Sequence, residues 1–158
     1  MTWRGTTPIS DRIFACLPYL LPAIEGLRFG RFLFEQFPQL QIIFIPLLPV
    51  IQLYESIPFA GLIIFFVLLF AVVRNENISH FIRFNTMQAI LLDIVLLLCG
   101  LILPILGNML GALAIEALFN TVFLGIWVAF IYAVAQSLMG RYAEIPAISD
   151  AVHMQVRS

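Results

Sequence analysis

The polar side chains able to do chemistry in this chain are few, and they interrupt stretches that are otherwise apolar. Asp93 lies in the run Thr86 to Leu106, eight residues after Asn85 and five after Gln88. At 3.6 residues per turn, eight residues is a little over two turns, so Asn85 and Asp93 share a broad helix face. Gln88 points further round. An ionisable group inside a membrane span is expensive unless it is paired or faces water, which makes it a functional candidate by default. Two chemistries fit this face. It lines a water-filled path and senses protons, or it is glue between helices, with Asp93 protonated or paired with an arginine. Glu116 and Asn120, four residues apart, share a face near the start of a later run, with Glu116 close to the interface. No nucleophile–base pair, phosphate-binding loop or dinucleotide fingerprint occurs, so neither an enzyme nor a cofactor is expected. His80 and His153 stand apart, and no Cys-x-x-Cys is present, so no metal site is expected either. Cys16 and Cys99 read as small packed hydrophobes rather than a bridge.

Composition sets the elements that must carry these residues. The chain is 62% hydrophobic and 11% charged. A soluble domain has about 25% charged residues, and the excess apolar surface here finds its solvent in a bilayer. The net charge of -1 leaves no nucleic-acid footprint. Length allows one domain. The opening ten residues are polar, and the first apolar run is broken by Pro18 and Pro22 and followed by Glu25 and Arg28. That is not the pattern of a cleavable signal or transit peptide, so the run is expected to be retained. The expected setting is a bacterium, or the compartment in which the chain is made.

Five apolar runs are visible: Ile13 to Leu27, Leu40 to Leu53, Ile57 to Val73, Thr86 to Leu106, and Ala117 to Met139. A crossing helix needs about 20 apolar residues, with a usable range of about 17–25. The last three runs qualify. The first does so by continuing through Phe29, Phe32 and Leu33, with Arg28 and Arg31 snorkelling to the headgroups. The second carries Pro46 and Pro49, each lacking a backbone donor, and is expected to be a bent, re-entrant or interfacial segment. With the first run spanning, Arg4, Arg12, Arg74, Arg83, Arg141 and Arg157 share one side against Arg28 and Arg31. That bias places the six inside. The expectation is an all-α polytopic membrane protein with four spans, 13–33, 57–73, 86–106 and 117–139. Segment 40–54 does not cross, and both termini are cytoplasmic. Between Arg28 and Phe37, helical spacing gathers Phe29, Phe32, Leu33 and Phe37 opposite Arg28, Arg31 and Glu35, an interfacial amphipathic pattern. Asn77 or Ser79 is placed to cap the fourth-run helix. Gly107 and Gly111 form Gly-x-x-x-Gly beside Pro104 and Asn108, where a turn is expected. After Pro146 the expectation is a short surface helix or a disordered tail.

The fourth run opens with His80-Phe81-Ile82-Arg83-Phe84-Asn85-Thr86-Met87-Gln88-Ala89, and the chain begins Ser10-Asp11-Arg12-Ile13-Phe14-Ala15-Cys16-Leu17-Pro18-Tyr19-Leu20-Leu21-Pro22. With the tail Ile145-Pro146-Ala147-Ile148-Ser149-Asp150-Ala151-Val152, this resembles the twenty-kilodalton Tic family, named for the translocon at the inner envelope of chloroplasts. The resemblance covers nearly the whole chain. It implies a four-helix membrane protein with both ends stromal or cytoplasmic. It also implies a channel-forming or core subunit that passes precursor proteins across a membrane. The partners implied are the lipid bilayer, a homo-oligomer or larger membrane complex, and translocating polypeptides. The location implied is a cyanobacterial plasma or thylakoid membrane, or the plastid inner envelope for a plastid-encoded member. The competing reading is a non-conducting scaffold or assembly factor. Four helices are too few to enclose a wide aqueous pore, so a channel would need several copies or helices from partners.

Overall fold

A computed structural model describes residues 7–156, which are helical with no strand among them. Arg4 and Arg157, two of the six arginines assigned to one side, fall outside the described residues. Helix α1 (Ile9–Gln36), α4 (His80–Leu110) and α5 (Ala112–Leu138) are each long and apolar enough to cross a membrane. Between α1 and α4 lie α2 (Ile45–Ser56) and α3 (Ala60–Val73), bent by 95° at the break between them. α6 (Ile148–Gln155) follows α5.

Local chemistry explains these boundaries. α1 tightens into 3-10 turns at Leu17–Tyr19, where Pro18 removes a donor, and again at Leu27–Gly30. The α2–α3 break holds Pro58 and Phe59, the latter left-handed at φ 57°. Ser79 caps α4, its side chain accepting from the Ile82 amide. Pro104 lies inside α4. Gly111, at φ 95°, is the single residue that turns α4 into α5.

Contacts at the two ends of the bundle fix the path. At one end Thr7 Oγ1 donates to the Gly140 carbonyl, and Tyr142 OH donates to His80 Nδ1 at 2.8 Å. α1 and α4 therefore start where α5 finishes. At the other end Gln36 Nε2 donates to Glu116 Oε1 at 2.8 Å, so α1 ends where α5 begins. α3 returns to the first end, because Arg83 Nε donates to the Val73 carbonyl at 2.9 Å. Residues 37–79 therefore travel the length of the bundle. α3 by itself falls short of a crossing helix, and the bent pair reaches that length only when its two helices are counted together.

α1 packs on α5 through Gly26 and Gly30. A Cβ at Gly26 would come within 2.7 Å of Ile126, and one at Gly30 within 2.6 Å of Phe123. This is the small-x-x-x-small approach of membrane helices. It falls at a pair of glycines other than Gly107 and Gly111. Aromatic rings fill the same seam, with Phe29 and Phe32 on Phe119, and Phe34 and Phe44 on Phe123. A second apolar cluster joins Val73, Phe84, Met87 and Ile90 to Val152 and Val156, and so docks α6 onto α4.

Candidate functional site

Two polar assemblies lie in the bundle, one turn and a half apart along α4. The first is built on Asn85 and Gln88. Tyr19 OH donates to Asn85 Oδ1 at 2.7 Å and accepts from Gln88 Nε2 at 2.9 Å. Ser137 Oγ donates to Asn85 Oδ1 at 3.2 Å. Asn85 Nδ2 reaches the Phe81 carbonyl, and Gln88 Nε2 reaches the Ala143 carbonyl. Tyr19, Asn85, Gln88 and Ser137 are all 0% exposed. The network ties α1, α4, α5 and the chain beyond α5 to each other. Asn85 and Gln88 thus face helix partners. Gln88 Oε1 alone is left without one.

The second assembly gathers Glu25, Arg28, Tyr54 and Asp93. Asp93 is the fourteenth residue of the 31 in α4, midway along it. It is 3% exposed, and its Oδ1 has no hydrogen-bond partner. Glu25 and Arg28 are the charged groups acting on it. Tyr54 OH donates to Glu25 Oε1 and so fastens α2 to α1. Gly61, in the first turn of α3, leaves the space these two groups occupy; a Cβ there would fall on both. The carboxylate therefore lies at the α3 N-terminus, where backbone N–H groups and the helix dipole favour negative charge. Arg28 Nη2 donates to the Leu96 carbonyl at 3.3 Å, and its guanidinium lies 5.1 Å from the Phe29 ring. A Cβ at Gly100 would fall on that guanidinium. The bare surface of α4 at Gly100 gives Arg28 a backbone acceptor close by.

The remaining expected residues are scattered. Arg31 stacks on Phe32 and Phe119 at 4.6 and 5.2 Å, toward the Gln36 end. Glu116 is bonded to Gln36 at that end. Asn120 Oδ1 is buried and unpartnered. His80 Nε2 donates to the Val156 carbonyl at 3.4 Å, and with Arg83 it fixes the opposite end. His153 pairs with Glu144 at 2.9 Å on the surface. Both cysteines are free.

Sequence reasoning missed Glu25, Tyr54 and Tyr19 as site residues. Glu25 interrupts an apolar run, a signal in plain view. Tyr54 and Tyr19 carry none, since an aromatic residue in an apolar run reads as packing until its hydroxyl partner is seen.

A cavity of about 600 Å³ opens beside the second assembly. α1 contributes Leu17, Leu21 and Ile24, the bent pair contributes Leu53, Tyr54 and Ile64, and the walls are almost wholly apolar.

Comparison with known proteins adds the lineage. The family model described as "Chloroplast import apparatus Tic20-like" matches residues 9–152. A Tic20 family protein of Synechocystis sp. is 51% identical over 162 aligned positions, covering 99% of both chains. Protein TIC 20-II, chloroplastic, of Arabidopsis thaliana is 38% identical, covering 95% of this chain and 74% of its own. The Tic20 family protein Ycf60 of Gracilaria tenuistipitata var. liui is 37% identical, covering 94% of this chain and 76% of its own. A family match over residues 9–152, with a relative 51% identical across 99% of both chains, has one meaning: the chain belongs to the Tic20 family.

Proposed function

We propose that this chain is a membrane-embedded subunit of a complex that passes polypeptides across a bilayer, with four crossings and both termini on the cytoplasmic or stromal side. The import apparatus named for its relatives supports the transport role. The structural observation that supports the reading is the bent pair of α2 and α3. It holds a cavity of about 600 Å³ open between α1, the bent pair and α4. Apolar walls suit an apolar polypeptide segment or a partner helix entering from the side. The membrane is a cyanobacterial plasma or thylakoid membrane, or the plastid inner envelope for a plastid-encoded member.

Photo-crosslinkers at Leu21 and Ile64 in the groove, and at Leu113 outside it, test this with an arrested precursor. Adducts from Leu21 and Ile64 but not Leu113 are expected. Adducts at none of the three, in protein that folds and assembles, would sink the reading.

A second reading is a non-conducting scaffold. The closed hydrogen-bond network around Asn85 favours it, because that network spends the polar face of α4 on helix pairing. Planar-bilayer recordings of wild type and Asp93→Asn separate the two. Discrete openings altered by the substitution support conduction. Silence from folded oligomers favours the scaffold.

A further inference from the structure

We propose that Asp93 is a proton-binding site, held in the bundle as a neutral carboxylic acid. Asp93 and Glu25 share one assembly but not one environment. Glu25 accepts from Tyr54 OH and faces the first turn of α3 at Gly61. Both features stabilise a negative charge. Asp93 has neither. Its Oδ1 is buried without a donor, and no ion pair joins it to an arginine among the described residues. Arg28, the nearest cation, is engaged by the Leu96 carbonyl and the Phe29 ring. An isolated carboxylate removed from water neutralises rather than bear the full desolvation cost.

The other packed elements bring no competing charge. α3 carries no titratable residue, and α2 offers only Tyr54 to this assembly, Glu55 being exposed. Facing residues of α5 at this level, Phe123 and Ile126, are apolar. No group of three acidic, histidine or cysteine side chains fit for a metal occurs among the described residues. A proton needs no coordination shell and fits a site this closed. The step is a simple exchange: the acid gives its proton to water, and a carboxylate remains. Its negative charge then attracts the Arg28 guanidinium, held at the Leu96 carbonyl three residues further along α4. Discontinuous helices beside buried ionisable groups are the usual setting for such exchange in membranes. The inference is independent of what the complex transports.

Infrared spectroscopy of the protein in nanodiscs tests it, with isotope-labelled aspartate carboxyl carbons and every pH kept well above the ordinary aspartate range, so that only a carboxyl neutral there gives a band. A protonated-carboxyl C=O band is expected in wild type, shifted by the label. Asp93→Asn removes the band. Glu25→Gln, Asp11→Asn and Asp150→Asn leave it in place. A labelled wild-type protein with no shifted band overturns the proposal without recourse to any variant. So does a band that survives Asp93→Asn.

Discussion

Gly100 and Gly125 are both helical glycines with opposite surroundings. A methyl group at Gly125 meets nothing within 4 Å, whereas one at Gly100 falls on the Arg28 guanidinium. Alanine is favoured over glycine in a helix by about 1 kcal/mol. Gly125→Ala should therefore raise thermal stability in detergent by about that amount. Gly100→Ala should gain less or lose stability outright, because Arg28 must leave the Leu96 carbonyl. Equal gains in the two melting curves would show that the Arg28 contact counts for nothing. Tyr19→Phe tests the other assembly. It removes a hydroxyl that donates to Asn85 and accepts from Gln88, both fully buried. Stranding such partners costs about 1–3 kcal/mol, to be read as a lower unfolding midpoint.

At the scale of elements, the break between α2 and α3 carries backbone strain, as does Ala147 before α6, at φ 67°. Phe59 is left-handed and 79% exposed, so its side chain repays little of the conformational cost. Left-handed backbone costs an L residue roughly 1–2 kcal/mol and glycine almost nothing. Phe59→Gly should raise the melting temperature while keeping the bend. A fall would mean that the exposed ring has a partner in the membrane. The bend is held independently by Tyr54 on Glu25. The length of their apolar runs made α4 and α5 readable, and turn or cap residues mark where the runs end. The α2–α3 pair was only half readable. Pro46, Pro49 and Pro58 announce irregular backbone, but prolines do not say which way a chain turns. The C-terminal helix was readable as a helix from the spacing of Ile148 and Val152, not as a docked one. Its docking depends on Phe84 and Val73, which are distant in sequence.

For the whole molecule, the bent pair decides how often the chain crosses. α1 ends beside Glu116, α4 begins beside Tyr142, and segment 37–79 must join opposite ends of the bundle. Single cysteines at Gln36 and Asn77, in a background lacking Cys16 and Cys99, should label from opposite faces of sealed vesicles. Labelling from the same face would reduce the crossings to three and place the termini on opposite sides.

The sequence by itself determined the solvent and the helical class, because apolar run length acts locally, while the helices of the structure begin and end several residues from the limits of the apolar runs. It also singled out Asp93, since a carboxylate in such a run is conspicuous. Tertiary structure decided which polar groups meet. Asn85 and Gln88 are spent on Tyr19 and Ser137, while Asp93 is left unpaired among Glu25, Arg28 and Tyr54. It also decided that the close helix approach falls at Gly26 and Gly30. Those outcomes turn on the relative depth and rotation of packed helices, and a helix's own residues fix neither until its neighbours are in place.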